Sequence, residues 1–402
     1  MVEQPNIALG REDRFDRFRR ISWWDQQKLA AARILVIGAG ALGNETLKNL
    51  ALLGVGNLFV ADLDWIEDSN LSRSILYRER DSGRPKAQVA AEAVKDIYPE
   101  AKVHWFRGDV VHELGMGVYD WADLVIAGVD NREARLHINR CCWKTNTPWI
   151  DGATEVLRGV VRVFVPPEGP CYECTMTEAD WKLLKEQRGC AGLRAEDRQE
   201  GRVPTTPTTA SIISALQCQE ALKLLHGREA LAGKGLVYDG LTNETYIVSY
   251  NSSDDCLSHD AYEQIVRLNR SVQEATLREI YREAETRLGK GAVLEFGRDL
   301  LLWFRCPTCG LSEEVFRPRG AVPERAARCS QCGQDRQIQS AESAYGTEEF
   351  LDRTLVGIGV PPYDVVVGRK GFSRVAFELA GDAPSVLGPL FHPLTLESGG
   401  NS

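Results

Sequence analysis

The sequence predicts an α/β fold: a doubly wound sheet, followed by a smaller β-rich region that carries cysteine pairs. Three observations support this. The apolar run Ile34-Leu-Val-Ile37 leads directly into Gly38-x-Gly40-x-x-Gly43 and then a helical stretch over 44–53. A second run, Leu58-Phe-Val-Ala61, ends in Asp62, about 20 positions after the last of those glycines. Further strand-like and helix-like stretches alternate after it, as they do in βαβ units.

Short, continuously apolar, β-rich runs suit parallel strands covered on both faces. In the glycine turn, Gly38 permits the tight bend, Gly40 lets backbone approach a phosphate, and Gly43 lets the helix pack against the strand. The free N–H groups and positive dipole end of that helix face whatever anion the turn holds. Asp62, at a strand C-terminus, is placed to accept from a ribose hydroxyl. The alternative reading is a tight βα turn with no ligand. Upstream, Arg11 to Arg33 is charge-rich with Phe15, Phe18, Ile21 and Leu29 interspersed; it reads as helical, with the stretch Ser22-Trp-Trp-Asp-Gln able to cap a new helix. Downstream, Leu63-Asp64-Trp-Ile-Glu-Asp-Ser-Asn70-Leu-Ser-Arg73 offers carboxylates, an amide and a guanidinium where doubly wound sheets bind ligands. Pro85 and Lys86 open a helix to Tyr98, His104 to Gly108 fits a third strand, and Leu124 to Ala127 a fourth. Asp130 follows that fourth strand and suits a metal ion. These residues lack a signature of hydride chemistry and supply what a triphosphate with Mg²⁺ needs.

Length and composition fit this outline. The chain has 402 residues, room for two or three domains, and a net charge of −9, which does not favour a nucleic-acid partner. No run approaches a membrane span, and Met1 to Gly10 lacks a signal-peptide pattern, so a cytoplasmic location is expected. In a reducing compartment, 11 cysteines read as metal ligands or reactive thiols before disulfides.

Taken together, Arg14-x-x-Arg17, the glycine loop, Leu-Asp64-Trp, Asn70-Leu-Ser-Arg73, Gly-Arg-Pro-Lys86, Val-Asp130-Asn and Pro148-Trp-Ile-Asp-Gly152 resemble the ThiF/MoeB superfamily of ubiquitin-like-protein-activating enzymes over about residues 14–260. The resemblance implies a Rossmann-like adenylation domain, dimeric, that uses Mg-ATP to adenylate the C-terminal Gly-Gly carboxylate of a ubiquitin-like protein. It implies that Asp62 binds the ribose, that Asn70, Arg73 and Lys86 contact phosphates with Asp64 among the nucleotide-binding residues, that Asp130 serves Mg²⁺, and that Arg17 is an arginine finger reaching across the dimer. Ala41 departs from the glycine of many members, and fits unless its backbone needs positive φ.

The cysteines divide into sets. Cys171-x-x-Cys174 is half of a tetrahedral zinc site. The family closes that site with a second C-x-x-C, whereas the next pairing here is Cys256-x-x-His259, which gives a Cys₃His set. Cys306-x-x-Cys309-Gly and Cys329-x-x-Cys332-Gly read as a zinc ribbon. Alternatively, Cys306 and Cys309 close the first site. Cys141, Cys142 and Cys218 sit in apolar helical stretches and read as core. Cys190 lies in Arg188-Gly-Cys190-Ala-Gly-Leu-Arg194, where neighbouring cations favour a thiolate. The loop, about 175–210, resembles the family's crossover loop, whose cysteine takes the ubiquitin-like protein as a thioester; the alternative is a loop cysteine without a role.

The expected domains are 1–260 for adenylation, a helical linker over 261–290 (an amphipathic helix across Asp260 to Leu288), and a zinc-ribbon and β-rich unit over 291–402, with strands between Leu355 and Leu379 and a loose tail at 397–402. The preferred activity is adenylation, thioester formation on Cys190 and hand-off to a conjugating enzyme, favoured also by Glu45-Thr-Leu-Lys-Asn-Leu. The runner-up is a sulfur-carrier adenylyltransferase of molybdopterin or thiamin synthesis. Two readings from other classes are an NAD-dependent dehydrogenase, which leaves Arg73, Lys86 and Asp130 without a role, and a non-catalytic zinc-bearing binding module.

Overall fold

The structure is a computed structural model in which residues 13–187, 192–194 and 204–393 are described. Cys190, residues 1–10 and the tail at 397–402 lie outside these.

The chain opens with α1 (Gln26–Ala31), β1 (Arg33–Ile37), α2 (Ala41–Leu53) and β2 (Asn57–Asp62). The β1 run is apolar throughout because both its faces are covered. Ile34 and Val36 enter one core with Leu47 and Leu50 of α2, while Leu35 and Ile37 enter another on the opposite face. The chain continues through α3 (Lys86–Ile97), β3 (Lys102–Arg107), α4 (Gly117–Trp121), β4 (Leu124–Ala127), α5 (Arg132–Lys144) and β5 (Trp149–Glu155). Next come β6 (Arg158–Phe164), α6 (Glu178–Gln187), α7 (Pro207–Leu225), β7 (Lys234–Asp239) and β8 (Glu244–Ser249). Among the described residues the first sheet runs β3-β2-β1-β4-β5-β6-β7-β8, parallel from β3 to β5 and antiparallel beyond. The order reverses between β1 and β4, and the crevice beyond their C-terminal ends is where such sheets bind ligands.

The second sheet takes β9 (Ile265–Leu268), then, after α8 (Leu277–Leu288), β10 (Val293–Arg305), β11 (Ser312–Pro318), β12 (Gln337–Ala344), β13 (Val365–Lys370) and β14 (Ser373–Leu379). The last helix, α9 (Ala383–Leu387), returns to the first unit: Ala383 and Leu387 are buried in the same core as Leu35 and Ile37. Asp364 ties the two units together. It accepts from the Met116 amide at 2.9 Å and pairs with Arg298 at 2.5 Å.

Two expected helices are not continuous. The described part of the stretch Arg11 to Arg33 holds a 3-10 turn at Phe18–Arg20 and then α1, which Asp25 of Ser22-Trp-Trp-Asp-Gln caps as expected, accepting from the Gln27 amide at 2.9 Å. Aromatic burial breaks the run: Phe15 packs edge-on to Tyr98, and Phe18 lies against Trp24. The stretch 260–288, expected as an amphipathic helical linker, begins with β9, parallel to β14 at the sheet edge. Helix starts only where Thr276 and Glu279 form a capping box. β9 therefore belongs to the second sheet.

Candidate nucleotide site and cysteine clusters

The glycine turn is built at the reversal point. Gly38 has φ +93°, and its amide donates to the Ala61 carbonyl of β2 at 2.8 Å. A Cβ on Gly38 would stand 2.7 Å from the carbonyl oxygen of Gly128, just past β4, so the β1 and β4 turns touch backbone to backbone. A Cβ on Gly43 would lie 1.8 Å from the Gly38 carbonyl oxygen, which requires glycine there. Gly40 has open space where its Cβ would be, room for a ligand. Ala41 begins α2 and is not among the positive-φ residues, so alanine is accommodated.

Beside this turn the structure places Asp62, and through Asp64 it places Lys86. Asp62 accepts from the amides of Ala39 at 2.6 Å and Asp64 at 2.7 Å. Burial pushes its carboxyl above the usual range, against the pull of Lys86. Lys86, at the start of α3, is largely buried and donates to Asp64 at 2.7 Å. Buried Asn70 accepts from the Glu67 amide at 3.0 Å, and its own carbonyl accepts from the Arg73 amide at 3.0 Å. Arg73 donates to the Ser69 carbonyl at 2.6 Å. Asp130 is exposed in the loop after β4, at the other lip of the same crevice.

Four residues that brace the site escaped the sequence reading. Asn44 donates to the carbonyls of Ala39 and Gly40 at 2.6 and 3.0 Å and accepts from the Leu76 amide at 2.9 Å. Tyr77 donates to the Ala39 carbonyl at 2.5 Å. Gln217 of α7 donates to the Ala127 carbonyl at 2.9 Å and so holds the end of β4. Arg135 of α5 donates to the Val129 carbonyl at 2.5 Å, next to Asp130, and to Asp151 at 2.8 Å. Asp151 is fully buried. Burial pushes its carboxyl up, but Arg135 and Arg162 outweigh that and hold it below the usual range. Only Asn44, a polar residue directly after Gly43 on a helix face that must be buried, left a sequence signal.

Arg17 is not brought to this crevice within one chain. Phe15 packs against Gly54, which caps the C-terminal end of α2, whereas the glycine turn is at its N-terminal end. A helix of 13 residues is about 20 Å long. Arg17 is exposed there, beside exposed Arg14, Arg20 and Asp13 and half-buried Asp16.

Both cysteine sets close as pairs of knuckles. Cys171, Cys174, Cys256 and His259 form one group and Cys306, Cys309, Cys329 and Cys332 the other, each with its ligand atoms within 4.8 Å of one another. The alternative, with Cys306 and Cys309 closing the first site, does not occur. In the first group the Cys171 and Cys256 sulfurs are 3.5 Å apart, Cys174 lies 3.4 Å from His259 Nε2, and Trp143 stacks on the His259 ring at 4.5 Å. In the second, the sulfurs of Cys306 and Cys332 are 3.4 Å apart and those of Cys309 and Cys329 are 3.6 Å apart. Sulfurs around tetrahedral zinc stand about 3.8 Å apart, given Zn–S near 2.3 Å, so both donor sets fit zinc. Gly310 and Gly333, at φ +75° and +71°, make the turn after each ribbon knuckle. Burial pushes the thiols of Cys141 and Cys218 each up to about 12 and raises that of Cys142, as suits core residues.

Among the described residues no helix is long and apolar enough to cross a membrane. The chain is 33% identical over 242 residues to the SAMP-activating enzyme E1 of Haloferax volcanii, covering 58% of this chain and 81% of that protein. It is 32% identical over 233 residues to the sulfur carrier protein ThiS adenylyltransferase of Escherichia coli, covering 58% and 87%. Among solved structures, Escherichia coli MccB superposes with a TM-score of 0.51 at 21% identity over 64% of this chain and 75% of that one, a likeness of fold. The ThiF family matches residues 13–258, a span that holds the first sheet and the three cysteines of the first group. The chain therefore belongs to the ThiF family, and it is an ATP-dependent activating enzyme of the adenylyltransferase kind.

Proposed function

We propose that the chain uses Mg-ATP to adenylate the C-terminal carboxylate of a ubiquitin-like protein ending in glycine, takes that protein onto Cys190 as a thioester, and hands it to a conjugating enzyme. The observation that supports the adenylation step is the glycine turn itself, where Asp62 accepts from the Ala39 amide and Lys86 pairs with neighbouring Asp64. In this reading Asp62 accepts from the ribose. Lys86 exchanges Asp64 for phosphate oxygens, and Arg73 joins it. Asp130 holds Mg²⁺, with Arg135 steadying its loop through the Val129 carbonyl. One carboxylate oxygen attacks the α-phosphorus, the bond to the pyrophosphate oxygen breaks, and pyrophosphate leaves with the electron pair. Two anions must approach, and the cations lower that barrier.

Arg17 completes the site from the second subunit of a homodimer, since in its own chain it stands at the far end of α2. Cys190 is favoured as nucleophile by elimination. Of the 11 cysteines, seven sit in the two candidate zinc groups and Cys141, Cys142 and Cys218 are buried. In the transfer, the Cys190 thiolate attacks the acyl carbon, the bond to the AMP oxygen breaks, and AMP departs. Two zinc ions are structural in this reading, and the location is the cytoplasm.

A second reading stops at the adenylate and serves a sulfur carrier; the 32% identity to the ThiS adenylyltransferase over a similar span supports it. The test is ATP–pyrophosphate exchange. It should depend on a partner with a free C-terminal glycine carboxylate and collapse in Lys86→Ala; exchange without such a partner would overturn the proposal.

A further inference from the structure

The second sheet lies beyond the family match, yet it holds a piece of the loop that contains Cys190. Leu193 is fully buried, in a cluster with Leu301, Phe304 and Val322. The Arg194 amide donates to the Val322 carbonyl at 2.9 Å, and the Glu324 amide donates to the Arg194 carbonyl at 2.8 Å, a parallel bridge. Gly192, at φ +71°, makes the turn into this contact: a Cβ there would stand 3.3 Å from the Arg319 guanidinium, which pairs with Asp299 at 2.8 Å. The pocket belongs to the ribbon. Phe304 precedes Cys306 on β10, and Ala326 and Ala327 on its rim precede Cys329. Arg336 lies over the Phe304 ring at 4.2 Å and donates to the Ala326 carbonyl at 3.1 Å, bracing the pocket from behind.

We propose that Leu193 is the positioning residue of the thiol-transfer step, and that the ribbon's task is to hold it. This rests on the reading of Cys190 as nucleophile. A fully buried leucine with two backbone hydrogen bonds beside it is an anchor. Cys190 precedes this anchor by three residues in the sequence, and three residues of chain span at most about 11 Å. Confining the thiol raises its effective concentration at the acyl carbon, and adenylation needs no such confinement. The ribbon thereby governs the second half-reaction and leaves the first alone.

The test uses the full chain, Mg-ATP and a ubiquitin-like protein that supports exchange. Leu193→Ala and Leu193→Asp should keep pyrophosphate exchange within about twofold of the parent, which also reports an intact adenylation unit, while single-turnover formation of the reducible adduct slows by about tenfold or more. Val322→Asp should give the same split from the ribbon side, and Leu193→Met should restore transfer. Adduct formation at the parent rate in Leu193→Asp and Val322→Asp would overturn the proposal. If the parent forms no reducible adduct, or Cys190→Ala forms it equally well, the reading of Cys190 has failed, and the anchor's role falls with it.

Discussion

The proposed supply of Arg17 by a second subunit makes a quantitative prediction about mixed dimers. Phe15 packs on Gly54 at one end of α2 and the nucleotide crevice opens at the other, about 20 Å away, beyond the reach of an arginine side chain. Arg17→Ala and Lys86→Ala should each lower pyrophosphate exchange by roughly 10²-fold, as losing one positioned cationic donor does. When the two variants are co-expressed in equal amounts, half of the dimers pair one of each. Each such dimer has one complete site, with Lys86 from one chain and Arg17 from the other. Activity should therefore recover to about a quarter of the parent value. Exchange assays on the co-expressed population read this directly, and mixed dimers purified through two tags should show about half of the parent value. No recovery would refute supply in trans, and so would a single Arg17→Ala chain with parental exchange.

Three further outcomes follow from groups on the page. Asp151→Ala would leave the buried guanidiniums of Arg135 and Arg162 without their carboxylate and should cost about 3–5 kcal/mol of stability, visible in urea denaturation; a loss under about 1 kcal/mol would show that water or relaxation replaces the pair. Glu378 is fully buried, and burial, with Asp120 beside it, pushes its carboxyl up to about 8 despite Arg267. Its folded value exceeds its unfolded one, so its contribution is fully present below pH 4.5 and is lost progressively as pH rises to about 8; Glu378→Gln should flatten the fall in urea midpoint between about pH 5 and 8, and an unchanged slope would contradict this. Metal analysis should find about two zinc ions per chain, with His259→Ala releasing one and leaving the ribbon's; a chain that purifies without zinc in both groups would remove the metal assignment.

The parallel core was legible because a strand covered on both faces has to be apolar at every position, and β1 and β4 are. The glycine turn was legible because its geometry forbids side chains, as the 1.8 Å approach at Gly43 shows. The cysteine groups were legible from spacing, since a C-x-x-C turn presents two ligands by itself, although which pairs meet was settled only by the fold. The helices expected over 11–33 and 260–288 form only in their last parts, α1 and α8, for one reason: charge-rich stretches with scattered apolar residues match a helical period by chance. Packing of Phe15 and Phe18 in one case, and β pairing of Ile265 and Val266 in the other, overrode it. Tyr77 and Gln217 act through backbone carbonyls distant in sequence, which no local pattern encodes, whereas Asn44 and Arg135 reach carbonyls 5 and 6 residues back.

The most direct test of the account is intact-mass spectrometry of the protein mixed with Mg-ATP and a ubiquitin-like protein ending in glycine, with and without thiol reductant. The account predicts a partner-sized adduct on the enzyme that reductant removes and that Cys190→Ala does not form. Adenylated partner with no adduct on the enzyme would contradict thioester transfer and support the sulfur-carrier reading. Neither species, with ATP unconsumed, would contradict the adenylation chemistry assigned to the crevice.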